Sequence, residues 1–314
     1  MTGPQHILCI GGAVVDRTYL CTNEPLPGTS NPVTSRCSFG GVARNVAESL
    51  ARLGATVGLI TAIGEDEPGR ALSAALAEAG VDRSGVIVRP GQQTAEYTAA
   101  FWQGELFAGF ADMAIFDAMT PGMVLPHLHK RVPGSLVFAD CNLPAATLLA
   151  LADQALADGF PLAIDVVSLA KAERLPHRLD GVYILFLNAA QAKPIARAGQ
   201  LPVAIESLRN RGAQAIVLTD GPHGVTVAED GHVTRLPAPA VPITNVSGAG
   251  DALIAGTLLG LSERNPLRTA VHFGLAAAAL ALQSMSSVPP DLARPALDAM
   301  RAKLATKTGN HDAC

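Results

Sequence analysis

The sequence predicts an α/β fold in which helices cover both faces of a mostly parallel sheet. Short apolar runs alternate with helical patterns along the 314 residues. Six runs have the length of strands, namely residues 7–10, 57–60, 136–138, 162–164, 183–187 and 215–218. Regular alternation of strands and helices is typical of a parallel sheet that is buried on both sides. We therefore expect one α/β domain over residues 1–314.

Two helices between these strands have recognisable starts. Thr120 is followed by Pro121, and Asn142 lies two residues before Pro144. Proline is favoured in the first turn of a helix because no hydrogen bond there requires its missing N–H. We expect helices to begin at both places.

Two segments, residues 14–36 and 94–112, break the alternation because they have strand patterns without partner helices. The second segment predicts a hairpin that turns near Gln103 and Gly104. It also contains Trp102, the one tryptophan of the chain, and Tyr97. The sequence alone leaves open whether these strands cover a site or form an ordinary β extension.

Composition excludes several classes of protein. The net charge is −4 and the isoelectric point is near 6.1, so no basic surface for nucleic acid is expected. No apolar run approaches the length that spans a bilayer, and the first residues do not have the pattern of a signal peptide. We therefore expect neither a membrane nor a nucleic acid as a partner.

The cysteines point to a reducing compartment. Five are present, an odd number without C-x-x-C spacing, which predicts free thiols, a cytoplasmic location and no zinc site. The polar tail at residues 306–314 is expected to be loose.

The segment 245–251, Asn-Val-Ser-Gly-Ala-Gly-Asp, directly precedes an apolar helical run at 252–261. Small residues leave the first N–H groups of that helix uncovered, and an open helix N-terminus binds anions. A carboxylate at the same place, Asp251, suits phosphoryl transfer because it can accept the proton of an attacking hydroxyl. The alternative is that Asp251 merely caps the helix.

A second glycine-rich junction, residues 39–45, leads into an amphipathic helix. Gly40 and Gly41 allow a ligand to approach the backbone, and Asn45 presents an amide that can both donate and accept. On the helix that follows, Val46, Leu50 and Leu53 share one face, and Gly54 ends it. Taken alone, this loop-to-helix junction favours a structural role over a binding role.

Polar residues follow several of the predicted strands. They are Asp140, Asn142, Asp165, Asn188 and Thr219. Because the carboxyl ends of parallel strands meet at one edge of a sheet, these side chains should lie along that edge, where ligands bind.

Together, the two glycine-rich segments resemble the ribokinase-like (PfkB) carbohydrate kinase family over nearly the whole chain. Gly40-Gly41-x-x-x-Asn45 is similar to its N-terminal signature, and residues 245–251 are similar to its C-terminal signature. The resemblance implies transfer of the γ-phosphoryl group of ATP to a sugar or nucleoside hydroxyl, with Mg²⁺. Asp251 would be the general base, and the backbone donors would come from Gly248, Ala249 and Gly250.

The resemblance also assigns residues to the acceptor. Asp16 matches the acid that holds sugar hydroxyls, with the alternative that it caps a turn. Gly40, Gly41 and Asn45 would hold the same sugar, and Asn142 lies near the position where ribose-specific relatives have an acid. The resemblance further implies that segments 14–36 and 94–112 form a small β lid over the sugar, often also a homodimer contact.

For the nucleotide, Thr219-x-Gly221-x-x-Gly224 is similar to the family's phosphate loop, and Asn188 and Ser247 would also contact ATP. Gln191 stands where the family has a Glu that helps to organise Mg²⁺ through water, and a neutral amide is a poorer partner for a hard cation. Asn245 stands where ribokinase-type members have an Asp near a monovalent cation, which argues against potassium activation.

Other enzyme classes lack their motifs. The chain has no G-x-G-x-x-G after a strand and no Gly-Lys pair, which argues against a Rossmann oxidoreductase and a P-loop NTPase. Ser168-x-x-Lys171 suggests a serine acylase, but the required Ser-Asp-Asn triplet is missing. A non-catalytic sugar-binding protein of the same fold remains an alternative because of Gln191.

Within the family, five segments are most similar to bacterial pseudouridine kinases, which phosphorylate the 5′-hydroxyl of a C-linked nucleoside. They are residues 30–32, 40–45, 111–113, 139–142 and 165–168, although Asp165-Val166 departs from the usual Asp-Pro. Ser30, Asn31 and Asp112 are the candidates for contact with the base. Ribose, fructose and adenosine remain alternative acceptors.

Overall fold

A computed structural model describes residues 5–308, and two sheets organise it. Its strands, in chain order, are β1 (Ile7–Ile10), β2 (Val14–Cys21), β3 (Val33–Gly40), β4 (Val57–Gly64), β5 (Asp82–Arg89), β6 (Glu96–Trp102), β7 (Glu105–Asp112), β8 (Leu136–Asp140), β9 (Leu162–Asp165), β10 (Val182–Asn188), β11 (Ala215–Thr219), β12 (Val225–Glu229) and β13 (His232–Leu236).

The large sheet has the order β13-β12-β11-β10-β9-β8-β1-β4-β5. Pairing is parallel from β11 to β5, and β12 and β13 continue the sheet as antiparallel strands. All six predicted strands are present in it, so the mostly parallel sheet expected from the sequence is confirmed.

Helices lie between most strands of the described chain. They are α1 (Val42–Arg52), α2 (Glu67–Glu78), α3 (Pro121–Leu128), α4 (Ala145–Asp158), α5 (Ala189–Ala196), α6 (Leu201–Asn210), α7 (Ala249–Ser262), α8 (Leu267–Leu282) and α9 (Arg294–Thr308). Helix α3 begins at Pro121, as predicted, whereas α4 begins at Ala145 with Pro144 at its N-cap. Helix α1 ends just before Gly54, whose φ of 87° is left-handed.

Alternation along the central strands supplies two apolar cores. Ile7 and Cys9 of β1 face one core, and Leu8 and Ile10 face the other. Because successive side chains of a strand point to opposite faces, both faces of the large sheet are covered. Helices α1, α7 and α8 contribute to the first core, and α3, α4 and α6 contribute to the second.

A small sheet forms from the two segments that broke the alternation. Its order is β3-β2-β6-β7, with β2 and β6 parallel and the outer pairs antiparallel. Strand β3 continues beyond the predicted limit at residue 36 as far as Gly40, where it leads directly into α1. The β6–β7 turn lies at Gln103 and Gly104, where φ is 50° and 86°, as a tight hairpin requires.

Some features differ from the sequence-based expectation. Strand β5 and the β12–β13 hairpin were not predicted, although Asp230-Gly231 has the left-handed φ values, 50° and 78°, of a hairpin turn. Helix α9 includes residues 306–308, so the first part of the tail is helical, and residues 309–314 lie outside the described residues. Cys9, Cys21, Cys37 and Cys141 are free thiols. None of the helices described is both long and apolar enough to cross a membrane.

Candidate active site

Polar residues converge where parallel strands of the large sheet end. Asp140 is the register partner of Asp165, and Asn188 is the partner of Thr219, so these strand ends share one edge, as the sequence predicted. A cavity of about 120 Å³ opens there. Its lining includes Asp165, Asn188, Gln191, Thr219, Gly250 and Asp251. Two larger clefts, of about 910 and 780 Å³, lie elsewhere and are lined by neither Asp165 nor Asp251.

The N-terminus of α7 is the part of this edge suited to an anion. Its N-cap is Gly248, which has a φ of 79° and provides no capping side chain. An added Cβ at Gly248 would overlap the carbonyl of Ser287, whereas an added Cβ at Gly250 would meet no atom within 4 Å. Gly248 is therefore required by the fold, and Gly250 leaves open space in front of the helix.

The first N–H groups of α7 differ in whether they already have an acceptor within the protein. The N–H of Ala249 donates to the carbonyl of Val246 over a long 3.4 Å. Within residues 5–308, no acceptor is found for the N–H groups of Gly248, Gly250 and Asp251. These N–H groups are open to an anion, and Gly248 also shapes the turn. The role of Gly248, Ala249 and Gly250 as anion donors stays a prediction.

The loop before α7 is fixed by the side chain of Asn245. Its Oδ1 accepts from the N–H of Ser247 at 3.0 Å, and its Nδ2 donates to the carbonyl of Met285 at 3.1 Å. The Asn245 amide therefore holds the loop together, and Ser247 remains exposed beside the helix terminus.

Asp251 meets Asn45 of the first glycine-rich junction. The Nδ2 of Asn45 donates to Oδ2 of Asp251 at 2.7 Å, across 206 residues of sequence. Burial raises the pKa of Asp251 to about 7, the Asn45 hydrogen bond opposes that rise, and nearby Asp140 adds to it. A carboxylate that titrates near neutral pH is suited to accept a proton.

Gly40 and Gly41 let the backbone pass close to Asp16 and Gly12. A Cβ on Gly40 would overlap the Asp16 carboxylate, and a Cβ on Gly41, whose φ is 92°, would lie 2.5 Å from the carbonyl oxygen of Gly12. Burial raises the pKa of Asp16 to about 6, and the charge of Arg44 opposes that shift. The charge of Asp16 also acts on Asp251, and Asn45 donates to Asp251, so these three residues border one region.

Asp140 is a central residue that the sequence analysis placed along this edge but gave no role of its own. Its side chain is fully buried and accepts from the N–H groups of Gly12, Ala43 and Asn142 at 3.0, 2.9 and 2.9 Å. These bonds fix the turn after β1 to the start of α1. Its position at the end of an apolar strand was the available signal, but two of its three backbone partners, Gly12 and Ala43, are distant in sequence.

The remaining predicted acceptor residues have different surroundings. Asn142 is buried, and its amide lies over Gly12. The Asn31 amide accepts from the N–H of Leu26 at 2.8 Å and donates to its carbonyl at 3.0 Å, so it closes its own loop. Ser30 and Asp112 are exposed, with Asp112 at the end of β7. Contact of these four residues with a substrate stays a prediction.

Asn188 and Gln191 form a capping box at the start of α5. The Asn188 side chain accepts from the N–H of Gln191 at 2.9 Å, and Oε1 of Gln191 accepts from the N–H of Asn188 at 2.9 Å. Gln191 therefore has a structural role that the sequence analysis did not include, although N-x-x-Q is a capping pattern. Its role toward a metal stays a prediction.

In the predicted phosphate loop, Gly221 and Gly224 differ. A Cβ on Gly224, whose φ is 92°, would overlap the carbonyl of Leu236, whereas Gly221 faces open space. Packing against β13 is therefore enough to require Gly224, and Gly221 is the glycine with room for a ligand.

Asp165 is a second carboxylate of the cavity. Burial raises its pKa well above the ordinary value, and repulsion from Asp251 adds to the rise. One carboxylate oxygen accepts from the N–H of Val167 at 2.8 Å. Val167 also lines the cavity and has a φ of 67°, which is strained for a β-branched residue. Such strain often occurs at functional sites.

Comparisons of the sequence and of the structure with known proteins agree on one family. The pfkB carbohydrate kinase family matches residues 4–293. Pseudouridine kinase of Escherichia coli (strain K12) is 28% identical over 299 residues, which cover 93% of this chain and 95% of that protein.

Two solved structures are similar over nearly the whole chain. A carbohydrate kinase from Agrobacterium tumefaciens has a TM-score of 0.84 at 31% identity and covers 96% of this chain and 98% of its own. Arabidopsis thaliana ribokinase, complexed with ribose and ATP, has a TM-score of 0.83 at 18% identity, with 96% and 99% covered. This last similarity supports the ribokinase-like fold alone.

The two glycines at the start of α7 should respond differently to substitution. Gly250→Val has room to fold but fills the space before the helix, so we expect near-normal thermal melting and a loss of roughly a hundredfold in kcat/KM for ATP. Gly248→Ala should instead lower the melting temperature, because of its φ and its contact with Ser287. Melting and ATP kinetics measured in parallel test this, and unchanged ATP kinetics of Gly250→Val would locate the anion site elsewhere.

Proposed function

The chain belongs to the pfkB family of carbohydrate kinases, and from this membership we propose that it transfers the γ-phosphoryl group of ATP to the 5′-hydroxyl of pseudouridine. One observation carries the kinase mechanism: Asp251, with a pKa near 7, lies at the open N-terminus of α7 and is held by Asn45. A base and an anion site at the same point are what transfer to a hydroxyl requires.

In the proposed reaction, Asp251 accepts the proton of the 5′-hydroxyl. The hydroxyl oxygen forms a bond to the γ-phosphorus, and the bond from that phosphorus to the β–γ bridging oxygen breaks, which releases ADP. The Asn45 hydrogen bond fixes the direction of the carboxylate. The open N–H groups of Gly248, Gly250 and Asp251, with the helix dipole, stabilise negative charge on the transferred group.

Acceptor and nucleotide occupy opposite sides of Asp251 in this proposal. Asp16, Asn45 and the Gly40–Gly41 backbone bind ribose hydroxyls, and the small sheet covers them as a lid. Asn188, Thr219, Gly221 and Ser247 border the path to the nucleotide. The support is that Asn45 of α1 donates to Asp251 and that the charge of Asp16, on β2, acts on it, whereas Asn188 and Thr219 end β10 and β11.

The cavity residues fit a magnesium ion bound with ATP. Asp165 and Asp251 repel each other within one cavity, and a cation would relieve that repulsion. Carboxylate and amide oxygens are suitable ligands, directly or through water, so Asp165 and Gln191 are the residues that we assign to it. When bound, Mg²⁺ neutralises charge on the phosphates.

Pseudouridine is favoured as the acceptor by similarity to the E. coli pseudouridine kinase, which covers 93% of this chain. At 28% identity, that similarity supports the class of acceptor, and the base must be tested directly. Other nucleosides or sugars are the competing acceptors.

We also propose that a second copy of this chain binds the small sheet. Leu106, Phe107 and Phe110 of β7 are each more than half exposed, and such apolar exposure is typical of an interface. The oligomeric state in solution is the corresponding measurement.

The base can be tested by substitution and pH. Because Asp251 must be ionised to accept a proton, wild-type kcat should fall as the pH decreases through about 7. Asp251→Asn should reduce kcat by roughly a hundred- to ten-thousand-fold. As a control, Asp16→Asn should mainly raise the KM for the nucleoside. An Asp251→Asn enzyme with near-normal turnover would rule out this mechanism.

The metal assignment predicts opposite effects at two positions. Gln191→Glu keeps an acceptor for the capping box and adds a negative charge, so it should lower the Mg²⁺ concentration for half-maximal activity. Asp165→Asn removes a charge from the cavity and should raise it. The Mg²⁺ concentration that gives half of the Mg²⁺-dependent rise in melting temperature should likewise be lower in Gln191→Glu and higher in Asp165→Asn. If neither variant differs from the wild type, other groups organise the metal.

The acceptor is tested by kcat/KM across pseudouridine, uridine, adenosine, cytidine, ribose and fructose. Pseudouridine has a ring N–H where uridine has a carbon, and a site that pairs with it would lose that hydrogen bond with uridine. Such sites can discriminate by up to about ten-thousand-fold. We expect pseudouridine to exceed uridine clearly, with ribose lower still. Equal or better turnover of another acceptor would rule out the pseudouridine assignment, while the assignment of kinase activity would still hold.

A further inference from the structure

A buried ion pair lies in the first turns of α1, directly behind Asn45. Arg44 and Glu48 are 7% and 6% exposed, and their side chains form an ion pair. The second carboxylate oxygen of Glu48 binds Arg52 at 2.8 Å, and Arg52 extends outward to the carbonyl of Pro290. Burying an ion pair is costly, so its presence beside the site calls for a role other than stability.

Arg44 determines which way the Asn45 amide faces. Its Nη1 donates to the carbonyl of Phe39 at 2.8 Å and to Oδ1 of Asn45 at 3.0 Å. Guanidinium nitrogens only donate, so the end of the amide that meets Arg44 must be the oxygen. The Nδ2 end then faces Asp251, to which it donates at 2.7 Å.

The reversed amide would be strongly disfavoured. The NH₂ group of Asn45 would meet the Arg44 donor, and its oxygen would meet the Asp251 carboxylate, so both contacts would become repulsive. A lysine could not replace Arg44 fully, because one ammonium cannot match the fork that reaches Glu48, Phe39 and Asn45.

Arg44 is also the cation that faces the acids of this region. Its charge opposes the pKa rise of both Asp16 and Asp251. The other charged groups that act on Asp251 are Asp140 and Asp16, and Asp165 faces it across the cavity. Because these neighbours are all acidic, Arg44 is the cation that offsets them. Loss of Arg44 therefore removes both the donor that orients the Asn45 amide and this positive charge.

We propose that Arg44, locked by Glu48, is a positioning residue that holds the Asn45 amide with its nitrogen toward Asp251 and so sets the protonation state and direction of the base. The proposal rests on the proposed phosphoryl transfer, in which Asp251 is the base. It assigns the Arg44–Glu48 pair to catalysis through Asn45, without contact to either substrate.

The test compares kcat–pH profiles of Arg44→Met, Arg44→Lys and the control Arg52→Met, which removes the outer partner of Glu48. Arg44→Met should shift the acidic limb upward by on the order of one pH unit, since both lost interactions lower the pKa. Arg44→Lys should bring the acidic limb most of the way back to its wild-type pH but keep a reduced plateau value of kcat. Arg52→Met should keep the wild-type limb. A wild-type limb in Arg44→Met would overturn the proposal.

Two additions keep the test decisive. If Arg44→Met does not fold because Glu48 loses its buried partner, Arg44→Met/Glu48→Leu removes both charges and should show the same shift. Hydrogen exchange of the Asn45 side-chain amide, measured by ¹⁵N NMR without substrate, is independent of kinase activity. It should be at least about tenfold faster in the folded Arg44 variants. Unchanged exchange would refute the positioning role even if the protein proved not to be a kinase.

Discussion

The hydrogen bond from Asn45 to Asp251 is the contact on which the site depends. It joins the first turn of α1 to the first turn of α7, so two glycine-rich junctions that are 206 residues apart meet at one carboxylate. The N-terminus of α7, the Asn45 hydrogen bond and the charge of Arg44 favour a negative charge at that point, whereas burial and the neighbouring acids oppose it. The balance places the pKa of Asp251 near neutrality, where it can both lose and gain a proton.

Close backbone approach makes this meeting possible. The backbone of Gly41 passes close to that of Gly12 because neither residue has a side chain. The Asp140 carboxylate fixes this crossing because it accepts the N–H groups of Gly12 on one side and of Ala43 on the other. Gly248 plays the corresponding role at α7 against Ser287. These positions are fixed by the fold, while Gly250 leaves the space that a phosphate would need. The same motif therefore contains glycines of two kinds, one for the turn and one for the ligand.

Much of this arrangement could be predicted from the sequence, because it depends on local patterns. Apolar runs located the central strands, and two motifs brought Asn45 and Asp251 into one hypothesis. Strand β5 was missed because it begins with the polar Asp82-Arg83-Ser84. Asp140 and Arg44 were given no role because the contacts that tie them to the site, with the N–H groups of Gly12 and Ala43 and with the Asn45 amide, follow no local pattern, although Arg44–Glu48 has the spacing of a helix ion pair. Gln191 was interpreted through the metal, although its spacing from Asn188 also fits a helix cap.

The most direct measurement of the central claim is a ¹³C NMR titration of aspartate side-chain carboxyl groups in the substrate-free protein. Spectra of Asp251→Asn would identify the resonance of Asp251, and Asn45→Ala would test the contact. We expect this resonance to titrate near pH 7 in the wild type and higher in Asn45→Ala. An Asp251 carboxyl that titrates near its ordinary value of 3.8, unaffected by Asn45→Ala, would contradict the account.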